Sequence, residues 1–334
     1  MSDEQPLLSV SNLRVEFPTR RGPLVAVDDV SFDVSAGEIL GLVGESGAGK
    51  SVTGSAIIGL IEPPGRITGG SVVLNGERID MLKGEALRRV RGRKIGFVFQ
   101  DPLTSLNPLF KIGDQLVETV LTHTDLGESE ARDRALELLR DVGLPAAEQR
   151  LRAWPHELSG GMRQRVVIAL ALAAEPDLII ADEPTTALDV SIQAQIIQLL
   201  KRLCREHGAA AILVTHDMGV IAEAADRVAV MYAGRLAEIG PVADVIKTPL
   251  HPYSKGLMAS IPTMGERLDA LAQIEGSMPR LDSIPVGCAF NPRCPQAFER
   301  CLRDRPEPIN VGASAVACWL YDQEPETIAA GEAA

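Results

Sequence analysis

The stretch GESGAGKS, residues 44–51, decides how the first part of this 334-residue chain folds. It fits the pattern G-x-x-x-x-G-K-[ST] and lies between an apolar run and a helical stretch, as the pattern requires. The glycines let successive backbone N–H groups point at phosphate oxygens, and the following helix adds the positive end of its dipole. We therefore predict a phosphate-binding loop, in which Lys50 reaches the β- and γ-phosphates and Ser51 ligates Mg²⁺. The residues predicted to bind nucleotide here are Gly44, Glu45, Ser46, Gly47, Ala48, Gly49, Lys50 and Ser51.

A pair of acidic residues follows a buried apolar strand in LIIADEP, residues 178–184. Two adjacent carboxylates can also be an ordinary helix-start signal. Beside a phosphate loop the functional interpretation is favoured. Asp182 then holds the Mg²⁺ shell, and Glu183 orients or deprotonates the attacking water.

Strand and helix signals around these motifs predict an α/β fold. Short apolar runs between turn residues indicate strands over residues 7–45, and the Asn-Gly turn in SVVLNGERI, residues 71–79, indicates a hairpin. Helical spacing of apolar residues dominates from about 113 to 172. Strands return in DLIIAD and AAAILVTH with a helix between them, which favours a parallel and mostly buried sheet.

Composition restricts the class of protein. The net charge of −12 repels nucleic acid in bulk, so we expect no nucleic-acid partner. The start has no apolar core and is no secretory signal, and the longest apolar run, residues 166–174, is about half of a membrane span. We expect a chain of the reducing cytosol, where disulfides are rare. Frequent prolines after about 245 predict two domains, residues 1–245 and 246–334.

The segment LSGGMRQR, residues 158–165, resembles the signature of the ATP-binding cassette (ABC) ATPases. Gln100 in VFQDP is similar to the glutamine of the family's Q-loop. ALD at 187–189, ending in Asp189, resembles the D-loop, and His216 in VTHD resembles the switch histidine. These motifs come in the family's order, and the resemblance covers about residues 7–245.

The resemblance implies a fold and a mechanism. The fold is a P-loop NTPase core with an antiparallel β subdomain and a helical subdomain at about 101–172. Two such domains pair head to tail, and ATP lies between the phosphate loop of one and the signature of the other. Ser159, Gly160 and Gly161 head a predicted helix and would form that second anion site.

Further site residues follow from the same resemblance. Gln100 would ligate Mg²⁺ and, together with His216, sense the γ-phosphate, while Asp189 would belong to the nucleotide site. Phe17 is the residue chosen to stack on adenine, although a strand Phe is usually core. Position 162 is Met where many relatives carry Gln, but the Ser and both Gly of the signature are intact.

The tail resembles one branch of this family. HPYSKGLMASIP, residues 251–262, is similar to the segment that opens the C-terminal extension of ATPases in dipeptide and oligopeptide importers, and WPHELSGGM resembles the same branch. The implied partners are two membrane permeases, a second ATPase (a copy or a paralogue) and a substrate-binding protein. Residues 101–115 would face the permeases, with the chain peripheral on the cytoplasmic face of the membrane.

Four of the five cysteines lie in this tail, at Cys288, Cys294, Cys301 and Cys318, whereas Cys204 is assigned to core packing. In a small proline-rich region they favour a metal site that stabilises the fold, over four unligated thiols. Zinc is the rival, but Zn sites usually contain C-x₂₋₄-C pairs, which are missing here. The long gaps favour an iron–sulfur cluster, and the resemblance to the peptide-importer branch implies a [4Fe–4S] centre.

Two other functions are open at this point. A soluble ABC ATPase acting on nucleic acid or ribosomes can carry cysteine metal sites, but usually has two cassettes and basic insertions. An ATPase of iron–sulfur assembly would explain the thiols but not the importer-like segment. We predict an ATPase that powers a membrane importer, most consistent with di- and oligopeptides.

Overall fold

The structure is a computed structural model that describes residues 5–186, 188–260 and 274–322. Ala187 of the predicted D-loop and residues 261–262 of the importer-like segment lie outside the described residues.

Two sheets and a set of helices make up the described part of the chain. The strands are β1 (Leu8–Thr19), β2 (Gly22–Val34), β3 (Ile39–Val43), β4 (Arg66–Leu74), β5 (Glu77–Arg78), β6 (Ile95–Val98), β7 (Leu178–Asp182), β8 (Ala210–Thr215), β9 (Arg227–Tyr232), β10 (Arg235–Pro241), β11 (Ile309–Val311) and β12 (Ser314–Val316). The α-helices are α1 (Lys50–Ile57), α2 (Gly84–Val90), α3 (Pro102–Ser105), α4 (Ile112–His123), α5 (Glu128–Asp141), α6 (Ala147–Arg150), α7 (Gly160–Ala171), α8 (Val190–His207), α9 (Met218–Ala224), α10 (Val242–Lys247), α11 (Pro252–Ala259) and α12 (Glu299–Arg303). Short 3₁₀ turns are Pro155–Glu157, Asn291–Arg293 and Trp319–Tyr321.

The larger sheet has the strand order β11-β12-β10-β9-β3-β8-β7-β6. Its five strands from β9 to β6 are parallel to their neighbours, which confirms the predicted parallel sheet. Every residue of β3, β7 and β8 is buried, as expected where helices cover both faces. The phosphate loop leaves β3, which therefore places it at the carboxyl edge of the sheet, where ligands bind in such folds.

The smaller sheet is antiparallel, with the order β2-β1-β4-β5. Asn75 and Gly76 join β4 to β5 with φ values of 50° and 77°, as a two-residue hairpin requires. This confirms the hairpin predicted from the Asn-Gly pair and the antiparallel β subdomain of the resembled family.

The two faces of the larger sheet bury different cores. Ile39 and Val43 of β3 pack with the helices α4, α5 and α7, whereas Leu40 and Leu42 pack with the small sheet and α1. The alternation follows from the two-residue period of a strand. The β subdomain and the helical region, α3 to α7, thus lie on opposite faces of the sheet that carries the phosphate loop.

The C-terminal extension continues the larger sheet. β12 pairs antiparallel with β10, through Glu238 with Val316 and Ile239 with Ala315, and β11 pairs with β12. Residue 245, at the predicted boundary, lies within α10. Of the helices that the structure describes, none is long and apolar enough to cross a bilayer.

Candidate nucleotide-binding site

The phosphate loop approaches other backbone segments closely, and this explains two of its glycines. Gly44 has φ 150° and Gly49 has φ 101°, values that L side chains rarely adopt. A Cβ atom on Gly44 would lie 2.3 Å from the Met231 carbonyl oxygen, and one on Gly49 would lie 2.7 Å from that of Ala26. The loop is therefore held tightly between β9 and β2, with Gly49 as the N-cap of α1.

Lys50 folds back over the loop that precedes it. Its Nζ donates to the carbonyl oxygens of Gly44, at 2.8 Å, and Glu45, at 3.1 Å. Burial lowers the pKa of Lys50, and the negative charges of Glu183, Asp182 and Glu45 oppose that shift. The ammonium thus lies within the cradle, with acidic groups close to it.

Ser51 and Asp182 meet as the two predicted Mg²⁺ ligands. The Ser51 hydroxyl donates to Asp182 Oδ1 at 2.9 Å. Asp182 is 8% exposed, and burial raises the pKa of its carboxyl group. A hydroxyl and a carboxylate side by side at the start of a helix are oxygen donors of the kind that Mg²⁺ prefers beside phosphate.

Gln100 and His216, which are predicted from separate motifs, both contact Glu183. Its Oε2 accepts from Gln100 Nε2 at 3.0 Å, and its Oε1 lies 3.2 Å from Nδ1 of His216. The Thr186 hydroxyl also donates to Oε2, at 2.8 Å. Gln100 follows β6, Glu183 follows β7 and His216 follows β8, so adjacent parallel strands bring the three together.

The conformation and charge of Glu183 are both unusual. Its φ of 44° is uncommon for a residue with a long side chain, and such strain is frequent at functional sites. Burial would raise its pKa, but hydrogen bonds from Thr186 and His216 and the charges of His216 and Lys50 lower it overall. The carboxylate is therefore ionised at neutral pH and can accept a hydrogen bond from water.

The signature segment is separate from this group. Ser159 is the N-cap of α7, and its hydroxyl accepts from the backbone N–H of Met162 at 3.4 Å. Ser159 and Gly160 are exposed, while a Cβ atom on Gly161 would lie 2.9 Å from a methyl group of Ile192. Across the three described stretches, no hydrogen bond or ion pair joins residues 158–165 to the phosphate loop.

Two other predicted residues also lie apart from the group around Glu183. Asp189 is exposed and forms the N-cap of α8. Phe17 is half-buried on β1, pairs with Leu24 of β2 and packs with the core of the small sheet. Its ring covers Gly65, where a Cβ atom would lie 2.5 Å from Phe17.

The comparisons with known proteins cover nearly the whole chain. Residues 27–186 match the ABC transporter family, and residues 237–301 match the family described as oligopeptide/dipeptide transporter, C-terminal region. The chain is 47% identical over 320 residues to the oligopeptide transport ATP-binding protein AppD of Bacillus subtilis, covering 95% of this chain and 98% of AppD. The chain belongs to the ABC transporter ATP-binding proteins, in their oligopeptide/dipeptide branch.

Further relatives of this ABC protein agree. The dipeptide transport ATP-binding protein DppD of Bacillus subtilis is 48% identical over 324 residues, with 96% of this chain and 97% of DppD covered. A dimeric post-hydrolysis structure of the ATP-binding cassette MJ0796, bound to ADP and Pi, aligns with a TM-score of 0.63 and 32% identity over 70% of this chain and 98% of that one. The predicted fold class and the predicted transport ATPase are confirmed, and ATP and Mg²⁺ are the ligands expected of the family.

Two residues outside the predicted site contact its phosphate loop. Tyr253 of α11 and Arg293 of the extension both bind Glu45, the second residue of the loop. Neither contact is predicted from the sequence. Tyr253 lies in the segment HPYSKGLMASIP, but no local pattern indicates that residues 208 and 248 positions after Glu45 return to it.

The four tail cysteines line one small cavity, together with Phe290, Trp319 and Leu320 among others. Burial raises the pKa of Cys288 to about 11, and it also raises the pKa of Cys294 and Cys318. Within residues 5–186, 188–260 and 274–322, however, no group of three or more His, Cys, Asp or Glu side chains could hold a metal ion. Cys204 is buried on α8 in the helical core, where the pKa of its thiol is raised to about 12.

Proposed function

We propose that this chain hydrolyses ATP to power a membrane importer of dipeptides or oligopeptides. The observation that carries the proposal is the meeting of Gln100, Glu183 and His216 beside Lys50 and the Ser51–Asp182 pair. The substrate class is supported by the similarity to AppD and DppD, which are oligopeptide and dipeptide transport ATP-binding proteins, and by the match of the C-terminal region.

We propose the following roles for the residues of the site, which the family resemblance implies and this geometry supports. Lys50 and the loop N–H groups bind the phosphates, and Ser51, Asp182 and Gln100 hold Mg²⁺. Bound Mg²⁺ neutralises charge on the phosphate oxygens. Glu183 orients and deprotonates the attacking water, while His216 holds the carboxylate in place and contacts the γ-phosphate. We assign adenine stacking to Phe17.

We propose that the complete site forms between two ATPase domains. Ser159 and Gly160 are exposed at the start of α7, and among the described residues no hydrogen bond joins Ser159, Gly160 or Gly161 to the phosphate loop of the same chain. Asp189 and Val190, at the start of α8, are also exposed, Val190 by 81%. MJ0796, of similar fold, is dimeric in its ADP-bound structure. A second domain then contributes its signature to the triphosphate and separates after hydrolysis.

The surface after Gln100 supports a membrane partner. Three large apolar side chains are exposed there, namely Leu103, Leu109 and Phe110, and Phe99 directly before Gln100 is exposed as well. An exposed apolar group beside a residue that contacts Glu183 can transmit the state of the nucleotide to a bound permease. We propose that residues 101–115 dock onto two permeases, at the cytoplasmic face of the membrane, and that a substrate-binding protein delivers the peptide to them.

We propose a [4Fe–4S] cluster for the four cysteines of the extension, which we take to be a unit of residues 246–334 that follows the ATPase domain, 1–245. At Cys288, Cys294 and Cys318 the backbone N–H two residues later, at Phe290, Gln296 and Leu320, lowers the pKa of the thiol and so opposes the larger effect of burial. Such donors stabilise negative sulfur, as a thiolate ligand requires. Zinc is less favoured, because its sites usually contain C-x₂₋₄-C pairs, and the spacing of these four cysteines has none. A bound cluster would be held by Cys288, Cys294, Cys301 and Cys318 and would cross-link the segments that carry them.

Co-purification of the full-length chain from gently solubilised membranes tests the proposal. We expect two membrane permeases and a second ATPase to be retained, and the retained complex to hydrolyse ATP faster when substrate-binding protein and peptide are added. Retention of ribosomes or nucleic acid instead would support the soluble ATPase, and retention of an iron–sulfur scaffold would support the assembly ATPase. Either outcome would overturn the importer.

A further inference from the structure

Glu45 is bound on three sides within the phosphate loop. Its backbone N–H donates to Tyr253 Oη at 2.9 Å, and its carbonyl oxygen accepts from Lys50 Nζ at 3.1 Å. Its carboxylate forms an ion pair with Arg293, with 3.0 Å between Oε2 and Nη1. Two of these three contacts come from residues after position 250, so the extension determines the conformation of a residue in the ATPase loop.

Tyr253 is fixed by its own surroundings. It is fully buried, and its ring lies 4.6 Å from that of Tyr232 and 5.4 Å from that of Phe290, centroid to centroid. The backbone N–H of Tyr253 donates to Nδ1 of His251 at 3.0 Å, and this side chain caps α11. A buried carboxylate, Glu238 of β10, accepts from the N–H of His251 at 2.9 Å. These contacts join the start of α11 to the edge of the ATPase sheet.

Arg293 is the other anchor, and all of its guanidinium nitrogens have partners. The side chain is 6% exposed. Nε donates to the carbonyl oxygen of Glu275 at 2.9 Å, and Nη2 donates to that of Ile274 at 3.2 Å. The same Nη1 that binds Glu45 lies 3.4 Å from Tyr232 Oη. A guanidinium held in this way presents a positive charge of fixed position to the phosphate loop.

The charge of Glu45 matters to the nucleotide. Its carboxylate is near enough to Lys50 to act on that ammonium, which is assigned to the phosphates. Unpaired, it would repel a triphosphate. The partly buried ion pair with Arg293 offsets this repulsion and fixes the position of the Glu45 carboxylate.

We propose that Arg293 and Tyr253 are positioning residues of the nucleotide site, which act through Glu45. Arg293 neutralises and anchors the carboxylate, and Tyr253 holds the peptide N–H, so that the loop is ordered before ATP binds. The extension is then a working part of the ATP site and not only an attached unit. This inference rests on the proposed assignment of residues 44–51 to ATP.

Binding of a fluorescent ATP analogue with Mg²⁺ to the purified full-length chain tests the inference. We expect Arg293→Gln to raise the Kd about tenfold, within the usual range of coupling between sites. Adding Glu45→Gln to that variant should recover part of the affinity, because the uncompensated carboxylate is then removed. Arg293→Lys should bind more tightly than Arg293→Gln, and Tyr253→Phe should also raise the Kd. In the assembled transporter, Arg293→Gln should raise KM with little change in kcat.

The matched control is Arg303→Gln, which removes an exposed arginine of the same extension that forms an ion pair with Glu299. It should leave the Kd unchanged. An Arg293→Gln variant that binds within twofold of wild type, or a double variant with no recovery, would overturn the inference. If Arg293→Gln does not fold, Tyr253→Phe carries the test, and normal binding by that variant would refute the inference. Lys50→Ala distinguishes failure of this inference from failure of the proposed ATP site. Normal nucleotide binding by Lys50→Ala would refute the ATP site itself.

Discussion

The sheet around β3 and the C-terminal extension are stabilised in opposite ways. Every residue of β3, β7 and β8 is buried, and both faces of the sheet pack against large apolar cores. The strands of the extension have three residues each, and β11 is at most half-buried. Beyond a small aromatic group around Tyr253 and Phe290, the extension depends on single directed contacts, such as the Arg305–Asp29 ion pair at 3.1 Å and the hydrogen bond from the Tyr321 hydroxyl to the Leu250 carbonyl.

The difference shows where substitutions should act. Apolar burial is spread over many residues of the ATPase sheet, so the loss of one polar side chain should leave the sheet folded. The loss of one polar side chain at its carboxyl edge should instead reduce ATP hydrolysis. In the extension a single charge or thiol is a large part of what holds the segment. Four changes test this contrast, from the largest expected effect to the smallest.

Glu183→Gln should abolish ATP hydrolysis while leaving both the ATPase sheet and the extension folded. Turnover should fall by about a thousandfold, in line with the usual contribution of a general base. ATP binding should persist, and the closed dimer should accumulate because hydrolysis no longer opens it. Turnover assays and gel filtration with ATP measure both effects. Normal turnover would remove the assignment of Glu183 as base.

Cys294→Ser should act on the extension alone. The anaerobically purified wild type should be brown, with a sulfur-to-iron absorption band at roughly 400 nm. The variant should lose that band. Limited proteolysis should then cut within residues 274–322 faster, while the ATPase domain stays intact and kcat is retained. A colourless wild type that contains zinc would contradict the cluster.

His251 should make the stability of the extension depend on pH. Burial lowers its pKa from the ordinary 6.5 to about 4, and only the neutral ring can accept the Tyr253 N–H. The unfolded chain therefore binds this proton first, so stability is complete above pH 6.5 and falls as the pH drops towards 4. At pH 5 the loss should be about 2 kcal/mol. Denaturant titrations at pH 7.5 and 5 measure it.

The control for this prediction is His251→Asn, because Asn can cap a helix but does not titrate in this range. The variant should be less sensitive to pH between 7.5 and 5 than the wild type. Equal pH dependence in both proteins would show that other groups are responsible.

Arg305→Gln should have the smallest effect. Its guanidinium binds Asp28 and Asp29 of β2 and so ties the extension to the small sheet. The side chain is about one third exposed, so we expect a loss near 1 kcal/mol. Hydrogen exchange in residues 306–322 should rise, whereas the exposed Arg303→Gln should change nothing. Equal exchange in the two variants would show that this ion pair does not hold the extension.

The sequence predicts the ATPase sheet better than the extension, because the sheet has local sequence patterns and the extension is held by contacts between distant residues. The phosphate loop, the hairpin at Asn75 and the strands β7 and β8 each have a local pattern of glycines, turn residues or apolar periodicity. Even the meeting of Gln100, Glu183 and His216 follows once the parallel sheet is predicted, because strand ends share one edge. The contacts of Arg293 and Tyr253 have no such pattern.

The same limit applies to the pairing of β12 with β10. Three-residue strands fall below any window in which alternation can be recognised. The position of β11 and β12 depends on contacts between residues far apart in the chain. The domain boundary near 245 is predicted from composition alone, whereas the larger sheet continues past it through the pairing of β10 with β12.

The pairing of β10 with β12 also bears on how this protein is synthesised. Glu238 leaves the ribosome about 80 residues before its partner Val316. At roughly 5–20 residues per second, the edge of β10 stays unpaired for about 4–16 s in each round of translation. During that interval its free N–H and C=O groups are open to another nascent strand. Slow translation after residue 241 would therefore favour misassembly, and prompt completion of the tail closes the edge.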